Sequence, residues 1–103
     1  MTTQQAAFQL FTLGQIVATR GVMASVPPHR LTESLARHLR GDWGNVCAED
    51  AARNNEATRE GSRILSAYAI DPTKPAKGFG SNCLWIITEA DRSVTTFLLP
   101  EEY

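Results

Sequence analysis

The chain is poor in the residues from which metal and redox sites are built. Its 103 residues include two cysteines, Cys47 and Cys83, and two histidines, His29 and His38. These residues are spread along the chain and form no CxxC motif, whereas a structural zinc site needs four ligands at short, paired spacings. The sequence also contains no P-loop, GxGxxG, GxSxG or HExxH motif. We therefore expect no metal site and no cofactor.

Long apolar segments and an excess of positive charge are also missing. No apolar run approaches the roughly 20 residues that cross a bilayer, and the first residues lack the basic and apolar parts of a signal peptide. Ten Lys and Arg residues stand against eleven Asp and Glu residues, which gives a net charge of -1. This balance disfavours a strongly basic nucleic-acid binder and a polybasic membrane binder. We expect a cytoplasmic protein that does not bind membranes.

The overall composition is that of a folded domain. Hydrophobic residues make up 43% of the chain and charged residues 20%, as in soluble globular proteins. The length fits a single domain over residues 1–103 and leaves no room for a second core. The polar residues 1–9 are predicted to form a loose leader.

Hydrophobic periodicity predicts the order strand, helix, helix and three further strands. Leucines at every fourth position indicate the first helix, and Gly41 and Gly61 follow the two helices as natural ends. A period of two begins after Gly61. The predicted strands cover residues 11–19, 63–70, 83–89 and 94–99, and the predicted helices cover 30–40 and 47–60; the segment 22–26 is ambiguous and compatible with a short helical turn.

This order predicts an α+β fold in which an N-terminal strand and two helices pack on a C-terminal three-strand antiparallel meander. The last two strands are apolar on both faces, so one face is expected to meet the helices while the other needs a cover. The cover would come from the N-terminal segment, from the Pro- and Gly-rich loop 71–82, or from a second copy of the chain. The last case predicts a structural homodimer through residues 83–99.

His38 is the first candidate for chemistry. On an ideal helix it lies at the edge of the leucine stripe, where it would face the rim of the sheet and serve as a general base. Cleavage of RNA without a metal needs a base, a cation for the phosphate and a proton donor. The catalytic candidates are His38, Arg63, Ser66 and Tyr68, supported by Asn55, Arg59, Thr88 and Thr96. The alternative is a boundary histidine with one hydrogen bond, beside hydroxyl residues that simply favour strands.

A binding surface is the second kind of candidate site. The segment from Asp42 to Glu60 contains five carboxylates and two arginines. Such a surface could mimic nucleic acid and dock on a basic partner, with electrostatics speeding association. The residues proposed to bind a partner are Asp42, Trp43, Glu49, Asp50, Glu56 and Glu60. The alternative is a solvated helix face that maintains solubility.

Several motifs resemble those of a known family. They are LGQIVAT at 13–19, RHLRGDWG at 37–44, RILSAY at 63–68, WIITEADRSVTT at 85–96 and LLPEEY at 98–103. The chain resembles a family of small, uncharacterised bacterial proteins associated with plasmids and phages, some of which carry an erroneous restriction-subunit label. Residues 78–82 are longer than the usual hairpin turn of that family. The resemblance implies an accessory role in a mobile element and no particular reaction.

A second similarity is architectural. A helical N-terminal part before an antiparallel meander is similar to the metal-free ribonuclease fold of barnase-like and RelE-like toxins, although the chain lacks their surplus of positive charge. The leading hypothesis is thus a non-enzymatic protein that binds a protein or nucleoprotein complex of the host, as an inhibitor of a CRISPR or restriction system. The alternatives are the ribonuclease, which alone would bind nucleic acid, and the homodimer.

Overall fold

The computed structural model describes residues 9–103 and has the predicted α+β architecture. Most of the predicted leader, residues 1–8, lies outside the described residues. The elements in chain order are β1 (Gln15–Ala18), α1 (Arg20–Ser25), α2 (Pro28–Leu39), α3 (Ala48–Glu60), β2 (Ile64–Tyr68), β3 (Leu84–Thr88), β4 (Val94–Leu98) and a 3₁₀ helix at Pro100–Glu102.

The four strands form one mixed sheet in the order β1-β4-β3-β2. The antiparallel meander of β2, β3 and β4 is confirmed, and β1 joins it as a parallel neighbour of β4. The strand predicted over residues 11–19 is shortened to four residues because Gly14 has a φ of 64°. A side chain at Gly14 would lie 2.4 Å from the carbonyl oxygens of Arg92 and Ser93, so the chain turns there and only then becomes a strand.

The described residues contain one α-helix more than the two predicted, in addition to the 3₁₀ helix. The ambiguous segment after β1 forms α1, which begins at Arg20 because the Thr19 hydroxyl caps the backbone N–H of Val22. The second helix begins at Pro28, two residues before the predicted start, since a proline in the first helical turn loses no hydrogen bond. The third helix ends as predicted, with Gly61 in the left-handed conformation.

The helices cover one face of the sheet, which we call the inner face. Hydrophobic side chains from α1, the following residues and the strands form one cluster there: Val22, Val26, Tyr68, Leu84, Ile86, Phe97 and Leu99. A second cluster lies near α3 and contains Phe11, Trp43, Ala57 and Ile64. Burial of these two clusters holds the helices on the sheet.

The edge of the sheet formed by β2 is closed by the chain itself. Ala67 donates its N–H to the carbonyl of Trp43 at 3.1 Å and accepts the N–H of Asn45 at 2.7 Å. The Asn54 amide pairs with both backbone groups of Leu65, at 2.7 Å and 3.3 Å. Segment 43–45 and one side chain of α3 therefore take the place of a further strand.

The opposite face of the sheet, which we call the outer face, is covered in part by two segments of the same chain. From the loop after β2, Gly78 accepts the indole N–H of Trp85 at 2.9 Å. From the C-terminal segment, Tyr103 packs edge to face on Trp85, with ring centroids 5.6 Å apart. Under this cover Ile87 and Leu98 are buried. Of the three covers considered, the loop is therefore observed, together with the C-terminal segment.

Candidate functional site

His38 lies in the interior of the protein, in contrast to its predicted position at the rim of the sheet. Its side chain is fully buried. Its Nδ1 lies 2.5 Å from the Ser66 hydroxyl, and its Nε2 lies 2.9 Å from the Thr88 hydroxyl. The Thr88 hydroxyl in turn lies 2.8 Å from that of Thr95. The structure thus brings together three predicted site residues and one that was not predicted.

The direction of every hydrogen bond in this network follows from its last member. Thr95 donates its only hydroxyl proton to the carbonyl of Leu13 at 2.8 Å, so its oxygen accepts the proton of Thr88. Thr88 then accepts the Nε2–H of His38, which leaves Nδ1 as the acceptor for the Ser66 hydroxyl. His38 is therefore the neutral Nε2–H tautomer with both ring nitrogens satisfied.

The environment of His38 favours this neutral form. Burial, followed by the positive charge of Arg92, lowers its pKa to about 3. Phe11 and Trp43 contact the imidazole edge to face, with centroids 5.2 Å and 5.9 Å away. A base that is enclosed on all sides cannot reach a substrate proton. The network joins α2, three strands and the segment before β1, and its hydrogen bonds hold these segments together.

The remaining candidates of the ribonuclease hypothesis lie elsewhere. Tyr68 is buried and donates its hydroxyl to the backbone carbonyl of Asp42 at 2.8 Å. Asn55 accepts the indole N–H of Trp43 at 2.9 Å, and Arg59 is exposed on α3. Arg63 lies on the outer side of the sheet, where it shares a cavity with Thr96.

The sheet therefore separates the proposed cation from the proposed base. Arg63 and His38 are on opposite faces, and residues Ser66, Tyr68 and Thr88 share the face of His38. The described structure does not supply the common cleft that the ribonuclease hypothesis requires.

The acidic candidates divide into structural and exposed groups. The Asp42 carboxylate binds Arg37 through two hydrogen bonds of 2.7 Å and 3.1 Å, and this guanidinium keeps the pKa of Asp42 below its usual value. Trp43 is a buried core residue. Asp50 forms an ion pair with Arg53 at 3.1 Å. The exposed carboxylates of the set are Glu49, Glu56 and Glu60 on α3.

The outer face carries a cluster of large side chains that the sequence predicts only in part. We call Arg63, Trp85 and Tyr103 the outer-face cluster. Arg63 donates to the Tyr103 hydroxyl and places its guanidinium carbon 5.1 Å from the centre of that ring. Tyr103 is 70% exposed although it contacts both partners. Neither Tyr103 nor Phe79 was among the sequence candidates, because each stands alone in a polar or Gly-rich segment without a periodic pattern.

Local structure explains why Tyr103 sits on this face. The preceding residue, Glu102, directs its carboxylate at the start of α1, where it accepts hydrogen bonds from the Thr19 hydroxyl at 2.5 Å and the Gly21 N–H at 3.0 Å. The N–H of Leu99 donates to the same carboxylate at 2.8 Å. These donors, with Thr19 first, lower the pKa of Glu102. The C-terminal turn is thereby fixed beside Arg63 and Trp85.

Three shallow cavities surround the outer-face cluster. One of about 250 Å³ lies between Arg63, Ile87 and Tyr103. A second, of about 340 Å³, is lined by Arg63, Leu65 and the α3 residues Asp50 and Arg53. The third, of about 380 Å³, lies between Trp85, Phe79 and the start of α3. Because neighbouring cavities share lining residues, they form one continuous polar and aromatic surface on the outer side of the sheet.

Comparison with known proteins adds no relative. No family model matches the chain, and no similar curated protein or solved structure was found. The resemblance to mobile-element proteins therefore stays a prediction. Within residues 9–103, no three His, Cys, Asp or Glu side chains converge as metal ligands. None of the helices in that part of the chain is long and apolar enough to cross a membrane.

Proposed function

We propose that the protein functions by binding a macromolecular partner and has no catalytic activity of its own. The partner we infer is a protein or nucleoprotein complex of a host defence system, either CRISPR or restriction, which the protein would inhibit. The observation that carries the proposal is the outer-face cluster, in which Tyr103 contacts both Trp85 and Arg63 at the surface.

These three residue types dominate the energetics of protein interfaces. Truncation of a few Trp, Tyr and Arg anchors typically accounts for most of the affinity, and such anchors are surrounded by contacts that exclude water. Here Arg63 holds the Tyr103 ring in place before any partner binds, which reduces the ordering cost of association. The three adjoining cavities offer concave positions for side chains of the partner.

The charges around the cluster support a partner with a basic surface. Asp50 lines two of the cavities, and the same helix continues outward with Glu49, Glu56 and Glu60. At helical spacing these three glutamates follow one exposed line, interrupted by Arg53. Such a line raises the rate of encounter with a positively charged partner and has little effect on the final affinity. Defence complexes that hold nucleic acid present surfaces of this kind.

The proposed role in a mobile element is based on the sequence motifs. An accessory protein that disables a host defence complex would benefit the plasmid or phage that encodes it.

The buried and neutral state of His38 supports the absence of catalysis, because no other histidine shares the inner face with the strand hydroxyls in the described residues.

The test combines a cellular assay with a binding measurement. The protein is expressed in strains that carry defined CRISPR or restriction systems, and the plating efficiency of a targeted phage is measured. For a system that is inhibited, the purified defence complex is titrated with wild-type protein, Arg63→Ala and Tyr103→Ala. Arg59→Ala is the matched control, because it removes an exposed arginine of α3 outside the cluster.

We expect Arg63→Ala and Tyr103→Ala each to weaken binding by roughly 30-fold, which corresponds to the ~2 kcal/mol of a typical anchor residue. Arg59→Ala should bind like the wild type. Failure to protect phage in every strain would remove the inhibitor proposal. Equal binding by all three variants would show that the outer-face cluster is not the docking surface.

A further inference from the structure

The two edges of the sheet differ in whether their outward backbone groups have hydrogen-bond partners. At the β2 edge, the segment 43–45 and the Asn54 amide satisfy the outward backbone groups of Leu65 and Ala67. At the β1 edge, no residue in the range 9–103 forms such bonds. An edge strand with unsatisfied backbone groups is a template for pairing with another strand.

The direction of the β1 backbone groups follows from its bonds to β4. Gln15 donates its N–H to the carbonyl of Ser93 at 3.0 Å, and Thr19 donates to that of Phe97 at 3.0 Å. Because backbone groups alternate in direction along a strand, those of Val17 also point toward β4. The N–H and C=O groups of Ile16 and Ala18 therefore point away from the sheet.

The side chains of β1 do nothing to block this edge. Its four residues, Gln15 to Ala18, are exposed along their whole length and include neither a charge nor a proline, the usual means by which an edge is protected. Ile16 is 49% exposed and Val17 37%. With Met23 of the next helix, they make up three of the five large hydrophobic residues exposed in the described structure. Two of these five residues thus lie on the open edge strand itself.

We propose that β1 pairs antiparallel with β1 of a second copy of this chain. Residues with outward backbone groups then pair with each other, so that Ile16 lies opposite Ala18 of the other copy and exchanges both hydrogen bonds with it. The two-fold axis passes beside Val17, which faces its own equivalent. A second copy fits because this pairing is self-complementary and because β1 brings no like charges together at the axis.

This pairing is independent of the proposed function, but it has a consequence for it. An antiparallel pair continues the sheet across the axis and keeps both outer faces on the same side. With neighbouring strands about 4.8 Å apart and five spacings between them, the two copies of β3, the strand that carries Trp85, would lie roughly 24 Å apart. A dimer would therefore present two outer-face clusters in the same direction and could bind a repetitive partner bivalently.

The test exploits the meeting of Val17 with its own equivalent. Mass is measured by light scattering and sedimentation for wild type, Val17→Lys, Val17→Glu and an equal mixture of the two variants. Ala52→Lys, on the exposed side of α3, is the matched control for an added charge. Circular dichroism checks that each variant is folded. We expect dimers for wild type and Ala52→Lys, monomers for each Val17 variant alone, and dimers again in the mixture, where Lys meets Glu.

Hydrogen exchange supplies a second readout on the wild-type backbone. The amides of Ile16 and Ala18 should be protected in the dimer and should exchange faster in Val17→Lys, while that of Val17 stays protected by β4 in both. A wild-type protein that is monomeric at high concentration would overturn the proposal. So would a dimer that survives in Val17→Lys, because it would use another surface, such as the outer face of strands 83–99.

Discussion

Acidification between pH 7 and pH 5 should destabilise this protein mainly through one side chain, His38. In the folded state its pKa is lowered to about 3 from its ordinary value of 6.5, with burial as the main cause. Between these two values the unfolded chain binds a proton at this site and the folded chain does not. Stability changes with pH in proportion to the protons bound by the unfolded state minus those bound by the folded state. The stability contributed by neutral His38 is therefore complete above pH 6.5 and decreases as the pH falls.

The magnitude follows from the same two pKa values. Within the window each pH unit changes the free energy of unfolding by about 1.4 kcal/mol. Because the imidazole of the unfolded chain is only partly protonated near pH 6.5, we expect a loss of about 2 kcal/mol between pH 7 and pH 5. The pKa values of Asp42, Asp71, Asp91 and Glu102 are lowered by their hydrogen-bond donors, so these four carboxyl groups titrate mainly below this interval.

Urea denaturation followed by tryptophan fluorescence at pH 7, 6 and 5 measures the effect. The wild type is compared with His38→Gln, which keeps hydrogen-bonding groups but does not titrate, and with His29→Gln, which removes the exposed histidine of the same helix. The loss should occur in wild type and His29→Gln and be absent in His38→Gln. In wild type, nitrogen-15 spectra of the imidazole should show the neutral Nε2–H tautomer at pH 5. Equal pH dependence in all three proteins, or a charged His38 at pH 5, would refute the reasoning.

Three further predictions concern stability and activity. Ser34→Ala should leave the free energy of unfolding unchanged or raise it, because the buried Ser34 hydroxyl has no hydrogen-bond partner. Ser66→Ala should lower the free energy of unfolding by about 1–3 kcal/mol, because it leaves Nδ1 of His38 unsatisfied. Urea denaturation of both variants at pH 7 measures the difference, and a larger loss in Ser34→Ala than in Ser66→Ala would contradict this prediction. Asn54→Ala should cost about 1–3 kcal/mol and speed amide exchange at Leu65, since it exposes the closed edge of the sheet; unchanged exchange would show that the amide does not protect the strand. The purified protein should not cleave a varied RNA panel in EDTA, and cleavage that is lost in both His38→Ala and Arg63→Ala would restore the ribonuclease hypothesis.

The strands and the two longer helices could be predicted because their signals are local. A period of two and the turn residues between strands locate β2, β3 and β4 within one or two residues, and Gly61 marks the end of α3. The parallel pairing of β1 with β4 could not be predicted in this way, because it joins segments about 80 positions apart and depends on the tight contact of Gly14 with residues 92 and 93.

The position of His38 could not be read from the leucine stripe because a helical wheel gives angles around an axis and no depth. Leu31, Leu35 and Leu39 are only partly buried, while Ser34 and His38, one turn apart, are the two buried residues of α2. The most deeply inserted line of this helix is polar. It is tolerated at His38 because the sheet supplies hydroxyl partners for both ring nitrogens, a match that involves three separate segments.

The candidate site is split between the two faces because successive side chains along a strand point to opposite faces. Arg63 and Ser66 are three positions apart on one extended segment, so their side chains point to opposite sides. By the same rule the hydroxyl that reaches the His38 network from β4 is that of Thr95, while Thr96 lies with Arg63 on the outer face. A site that needed both Arg63 and Ser66 would require a bulge between them, and β2 pairs with β3 without interruption from Ile64 to Tyr68. The alternation thus assigns the buried hydroxyls to folding and leaves the outer face, with Arg63, Trp85 and Tyr103, as the surface on which this protein meets its partner in our proposal.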